Sequence, residues 1–271
     1  MTSGAGQLAV VIGAGALGMA VAQRLAQDGP VLVADIDEGR AGSVAAGLRA
    51  QGAEASGIGC DVTSVESVAH LAQAVADLGG FRLLAHVAGL SPSLADFATI
   101  LRVNLRGPAL VADAVLPLVA RGSAAVLIGS MAGHLSRPDA DALALLAEPL
   151  APDLVARMAA HLGDEKATPE AAYSLSKHAL MGLARALAPA WGARGGRILS
   201  LSPGMIATTQ GAAEFAANPN KRRMFAASPL AREGTMAEVA EVVAFLGSDR
   251  ASFISGTDLL VDGGLAAALT A

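Results

Sequence analysis

A chain of 271 residues, 53% hydrophobic but only 3% aromatic and with 31 glycines, can bury a sizeable core of small aliphatic side chains joined by tight turns. A formal charge of −5 without a block of basic residues argues against nucleic acid as a partner. No apolar run reaches the roughly 18 residues of a membrane span, and no basic stretch precedes an apolar one at the start. The single cysteine, Cys60, leaves no internal disulfide and no cysteine cluster for a metal, so a soluble cytoplasmic protein is expected.

Residues 8–12 form a continuous apolar run, the pattern of a strand buried on both faces of a parallel sheet. Gly13, Gly15 and Gly18 follow at G-x-G-x-x-G spacing, and residues 19–27 read as a helix that stops at Gly29-Pro30. Glycines there let the backbone approach a pyrophosphate, and the helix N-terminus offers N–H groups to it. The plainer alternative is a tight turn with no ligand. A second apolar run, residues 31–34, ends at Asp35. A carboxylate at that point accepts hydrogen bonds from ribose hydroxyls and repels a 2′-phosphate. NAD is therefore expected over NADP, the more so because no Arg or Lys lies from Gly13 to Met19 or directly after Asp35.

The alternation continues along the chain. Residues 39–51 and 64–78 read as helices, 55–60 and 83–87 as strands, the latter ending at Ala88-Gly89. Asp61 sits just past the third strand, where a ligand crossing the carboxyl edge would present its adenine. Residues 98–120 read as one long helix containing Asn104, and residues 124–128 as a strand ending at Gly129-Ser130. Strands at 197–201 and 258–261 end at Ser202-Pro203-Gly204 and Asp262-Gly263-Gly264. Seven strands separated by helices predict an α/β fold, a single doubly wound parallel-sheet domain that delivers a polar residue or glycine to one edge from each strand.

The helix expected at 171–188 carries Tyr173 and Lys177 one turn apart on one face. A cation within about 4–6 Å favours the phenolate and lowers a phenol pKa by roughly 1–3 units, toward the range of acid–base catalysis. Tyr173 is the only tyrosine in the chain. Alone, such a pair is as often surface decoration.

The ordered set Gly13/Gly15/Gly18, Asp35, Asp61, Asn104, Ser130, Tyr173, Lys177, Pro203-Gly204 and Thr208 resembles the short-chain dehydrogenase/reductase family over nearly the whole chain. The resemblance implies that Tyr173 exchanges a proton with the substrate oxygen, that Lys177 lowers its pKa and holds the cofactor ribose, that Ser130 donates a hydrogen bond to the reacting oxygen, and that Asn104 positions a relay water. It also assigns Leu17, Ile36, Val62, Ala88 and Gly89 to the cofactor's surroundings, with Ile206 and Thr208 at the nicotinamide carboxamide.

Four departures from the family pattern stand out. The glycine turn is one residue short, with Ile12 in place of threonine; His86-Val87-Ala88-Gly89 replaces the common Asn-Asn-Ala-Gly; and Ser202 replaces an asparagine. The fourth is an insertion at about 134–170, read as two short helices at 143–146 and 154–162 with Leu154, Val155, Met158 and Leu162 on an apolar stripe. It resembles that of the bacterial 3α-hydroxysteroid dehydrogenase/carbonyl reductase branch, where it blocks a helix-pairing surface and leaves a dimer instead of a tetramer. The stripe is expected either to wall a hydrophobic pocket or to form an oligomer interface. Residues 209–227 are expected to close over the substrate. The implied activity is NAD-dependent interconversion of a secondary alcohol and a ketone on a hydrophobic cyclic compound, a 3-hydroxysteroid foremost. A terpenoid or aryl alcohol is an alternative, as is a non-catalytic nucleotide-binding protein.

Overall fold

The computed structural model describes residues 7–207 and 219–270. The seven apolar runs form β1 (Ala9–Ile12), β2 (Val31–Asp35), β3 (Ala55–Gly59), β4 (Leu83–His86), β5 (Ala124–Ile128), β6 (Arg197–Pro203) and β7 (Asp258–Val261). All pair in parallel in the order 3-2-1-4-5-6-7. A parallel strand needs a crossover to return to the same edge, and helices supply it. They are α1 (Ala16–Leu25), α2 (Glu38–Ala50), α3 (Val65–Asp77), α4 (Phe97–Leu101), α5 (Gly107–Val115), α6 (Met131–Leu135), α7 (Ala140–Leu146), α8 (Leu154–Leu162), α9 (Pro169–Gly192), α10 (Pro219–Ala227), α11 (Met236–Gly247) and α12 (Leu265–Thr270).

Side chains alternate across the strands, so each face of the sheet carries its own core. Val11, Val33, Ala85 and Leu199 pack against α1, α2 and α11, while Val10, Leu32, Leu84 and Ile198 pack against α3, α5 and α9. Most of the sheet is buried on both faces, as its near-continuous apolar runs require. The expected doubly wound single domain is what forms, with strand ends within one or two residues of their predicted positions.

Two expectations fail. The helix expected over 98–120 is interrupted: α4 gives way to a π-helical turn (Arg102–Arg106), then α5, then a 3-10 turn (Leu116–Leu118). Pro108 has no N–H for the carbonyl of Asn104 four residues earlier, and its ring crowds that carbonyl. Widening the turn, with the Gly107 N–H reaching back to the Arg102 carbonyl, relieves both.

The insertion forms the two helices expected, α7 and α8, but the buried residues of its apolar stripe pack within the chain's own interior. Leu145, Leu146, Leu154 and Met158 join Phe97, Ile100, Leu101 and Leu105 from the interrupted helix, and Ala172, Leu175 and Ala179 from α9, in a third core. The insertion therefore enlarges the domain's interior. Met158, fully buried there, is its centre: Met158→Ala should lower the unfolding free energy by about 2–4 kcal/mol in urea denaturation. A loss below about 0.5 kcal/mol, the range of ordinary surface changes, would mean the insertion does not share the core.

Candidate active site

The residues assigned from sequence to the site lie at or beyond the carboxyl ends of the strands, in the first turn of α1 or on α9, except Asn104, which lies in the π-helical turn between α4 and α5; Thr208 falls outside the described residues. The glycine turn after β1 is built by close approach. Gly13 sits at φ +103°, with the Ala88 backbone where a side chain would go, and a Cβ on Gly18 would overlap the Gly13 carbonyl. Gly15 differs: a Cβ there would meet nothing within 4 Å. Gly15 also begins α1 without any side-chain cap. The two tight glycines shape the turn, and open space lies in front of the third at a helix N-terminus. That cradle fits the pyrophosphate of a dinucleotide.

Asp35 is buried at the end of β2. One carboxylate oxygen accepts from the Ala14 N–H at 2.7 Å and the other from the Asp37 N–H at 3.0 Å, so β2 and the glycine turn are held together. Beside it, Ile36 is 73% exposed, an apolar surface open to a base. Asp61, past β3, folds its carboxylate onto the Thr63 N–H and hydroxyl, and Val62 is buried against Gly107. Gly204 lies so close to Asp262 that only glycine fits, and Ile206 bridges to Gly234. Arg40 went unrecognised in the sequence because it does not directly follow Asp35. One turn into α2, its guanidinium returns to within 3.6 Å of both Asp35 and Asp37.

The reacting groups converge from three elements. Ser130 follows β5 and caps α6, accepting from the Ala132 N–H at 3.2 Å, and its hydroxyl also hydrogen-bonds Tyr173. Tyr173 and Lys177 share one face of α9, with the ammonium 5.8 Å from the ring centre. Lys177 is buried and donates to the Ile128 carbonyl at 2.8 Å. Burial is the largest influence on Tyr173 and raises its pKa, with the Ser130 hydrogen bond opposing it. The ammonium points along a backbone carbonyl and not at the phenol oxygen; its own pKa is drawn down to about 8 by desolvation.

The Asn104 side chain is bonded to one residue, accepting from the Leu90 N–H at 2.7 Å and donating to the Leu90 carbonyl at 2.9 Å. Both Asn104 and Lys177 stand against Gly89, where a Cβ would lie 3.3 Å from each. Beneath them is His86, buried on β4, whose Nε2 has no hydrogen-bond partner. Desolvation, with the Lys177 charge adding to it, lowers its pKa to about 3, so the imidazole is neutral. Among the described residues no cluster of three or more His, Cys, Asp or Glu could hold a metal.

A family model described as enoyl-(acyl carrier protein) reductase matches residues 13–167 and 155–266. The short-chain dehydrogenase/reductase bsc3 of Alternaria brassicicola is 31% identical over 265 residues, covering 96% of each chain. The 3-alpha-hydroxysteroid dehydrogenase/carbonyl reductase of Comamonas testosteroni is 31% identical over 227 residues, covering 78% of this chain and 87% of that one. The crystal structure of gox2181 superposes with a TM-score of 0.79 at 28% identity, covering 97% of this chain and 96% of the other.

His86 makes a measurable demand on pH. An unfolded chain protonates it near 6.5 and the folded protein only near 3, so the unfolded state binds the extra proton between those values. Its contribution to stability is complete above pH 6.5 and is lost as pH falls toward 3. His86→Asn should therefore lose less unfolding free energy than the parent between neutral pH and about pH 4.5. Equal losses in urea titrations at the two pH values would refute a buried neutral imidazole.

Proposed function

The chain belongs to the short-chain dehydrogenase/reductase family, whose members bind nicotinamide cofactors, and from that premise we propose that it interconverts a secondary alcohol and a ketone with NAD(H). The observation that carries this reading is the meeting of Ser130, Tyr173 and Lys177 at the carboxyl edge, beside a glycine turn with room for a pyrophosphate. A nicotinamide cofactor held by the glycine turn, Asp35 and Lys177 would take up or supply the hydride. The chain's residues handle the proton and the charge.

Tyr173 gives its proton to the carbonyl oxygen in reduction and takes it back in oxidation. Ser130, already bonded to the phenol, donates to the same substrate oxygen and stabilises the charge that develops there. Lys177 keeps one N–H on Ile128 and has two more for the ribose hydroxyls and for a water. Asn104, which stands beside Lys177 at Gly89 while its side chain holds Leu90, would position that water. Proton release to solvent follows that line.

The substrate class we infer is a hydrophobic cyclic alcohol or ketone, with a 3-hydroxysteroid as the leading member. Leu94, 66% exposed in the loop after Gly89, and Leu230, 60% exposed beside Gly263, present apolar surface at this edge. The relative from Comamonas testosteroni, by its name, acts on such a compound. NAD is favoured over NADP because a buried carboxylate at Asp35 meets the ribose, while Arg40 is already drawn to Asp35 and Asp37.

Two measurements test this reading. Tyr173→Phe should cut kcat on a panel of steroid and monocyclic ketones by at least about 100-fold, the lower span of a general acid–base contribution, with NADH affinity little changed. Retained turnover would overturn the proton-transfer role, and no turnover by the parent despite NADH binding would favour a nucleotide-binding protein without chemistry. Asp35→Ala should shift the NAD-to-NADP ratio of kcat/KM toward NADP by about ten-fold, worth about 1.4 kcal/mol. An unchanged ratio would remove the basis for NAD.

A further inference from the structure

Resting on the dehydrogenase reading above, we propose that His134 and Asp258 are positioning residues that hold Ser130 against Tyr173. Neither touches the reacting atoms. They act through α6, the five-residue helix that Ser130 caps.

A helix of five residues makes hardly more than one turn and does not hold its shape unaided. Neighbours must therefore fix α6: it packs on α9, β6 and α12, and side-chain hydrogen bonds reach it from α9 and from β7. On the α9 side the approach is at backbone level: a Cβ on Gly133 would lie 2.7 Å from the Lys177 carbonyl carbon, and the His178 Nδ1 meets the Gly133 carbonyl at 2.9 Å. Those contacts fix the middle of α6 to the turn that carries Lys177. They do not reach His134, whose carbonyl accepts from Arg137 and whose side chain turns to the other side.

On the other side a side-chain link ties the end of α6 to the sheet. His134 Nε2 lies 2.7 Å from the Asp258 Oδ2, reaching from α6 to the first residue of β7. The other oxygen of Asp258, Oδ1, accepts from the Ser200 hydroxyl at 2.5 Å and the Ser202 hydroxyl at 2.9 Å. Ser200 and Ser202 are two apart on β6, so their side chains share one face of the sheet. An ionised carboxylate only accepts, so the serines donate and His134 carries its proton on Nε2. With Oδ1 held by two hydroxyls, Oδ2 is aimed at α6.

The carboxylate is not needed to pair the strands. Backbone register already joins β7 to β6 from Ser200↔Asp258 to Pro203↔Val261. A side chain only 7% exposed would ordinarily be apolar at such a position. What Asp258 provides that an apolar residue would not is the hold on His134. The hydroxyl that must meet the substrate oxygen is thus located by a chain of four side chains running in from the sheet edge.

The experiment is a double-mutant cycle on the full chain with NADH and a cyclic ketone that the parent reduces. His134→Leu should lower kcat by about 10–100-fold, the cost of displacing a reacting group by about 1 Å, with KM for NADH changed less than about two-fold. In a Ser130→Ala background the same change should have no further effect on kcat, because the two act as one unit. His134→Gln, whose amide can still donate to Asp258, should recover most of the loss. Asp258→Ala removes the partner of His134 altogether, so that neither tautomer of the imidazole restores the bond, and should behave as His134→Leu does, which covers the case of a leucine variant that does not fold. Full kcat in His134→Leu or Asp258→Ala, or losses that multiply with that of Ser130→Ala, would overturn the proposal. A parent enzyme inactive on every ketone would instead overturn the dehydrogenase reading on which it rests.

Discussion

One ammonium buried without a carboxylate decides much of this molecule. Lys177 is taken out of water at the end of β5, and among the described residues its charge meets the Ile128 carbonyl and no acid. Removing a charge from water costs several kcal/mol even after relaxation, and one neutral hydrogen bond does not return it. The fall of its pKa to about 8 expresses that cost. The pin nevertheless sets how deeply α9 sits on the sheet. Ile128 is two residues before Ser130, so the bond that seats Lys177 also aligns the strand end carrying the serine with the helix turn carrying the tyrosine. His86 lies in the same dry volume, where its own burial, with the Lys177 charge adding to it, keeps the imidazole neutral and leaves its Nε2 without a partner.

Such convergence needs backbones that come close. Gly107 stands where a Cβ would press on Val62, Gly129 where it would meet the Ser202 hydroxyl, and Gly133 where it would strike α9. An abundance of glycine with very few aromatics is the composition of a protein whose polar groups meet because the elements bearing them carry little bulk. The cost is conformational entropy in the unfolded chain. The gain is that Asn104, Lys177 and Gly89 share one small space.

The sheet and its edge were legible because the signals are local. An apolar run followed by a glycine or an acid marks a buried parallel strand wherever it falls, and the runs ending at Asp35, Gly89, Ser130 and Gly204 mark one edge by their order. What was not legible depends on contacts between distant residues. Pro108 was visible, but the widening at Asn104 follows only once the carbonyl it orphans is located. Arg40 returns to Asp35 through the pitch of α2, and Asp258 is found by His134, 124 positions earlier, only after the sheet places β7 beside β6. The stripe on α8 was read correctly as apolar. Whether it faces a ligand, a partner or its own domain is a property of its surroundings, and here the third core takes it.

That third core bears on catalysis through the end of a helix. Helix ends fray, because their first N–H groups lack partners within the helix, and Tyr173 lies in the second turn of α9 while Lys177 lies a turn deeper. Thr168 caps that end by accepting from the Ala171 N–H at 3.2 Å, and Pro169 at the first helical position has no N–H to leave unpaired. Capping holds the backbone, but it does not hold the face that carries the phenol. Ala172 and Leu175, on either side of Tyr173, are covered by the same insertion that supplies Met158 and Leu154. The segment that leaves the chain after Ser130 and returns at Thr168 thus closes over the turn it feeds into. Part of the packing around Tyr173 thus comes from outside α9, from the core that the insertion completes.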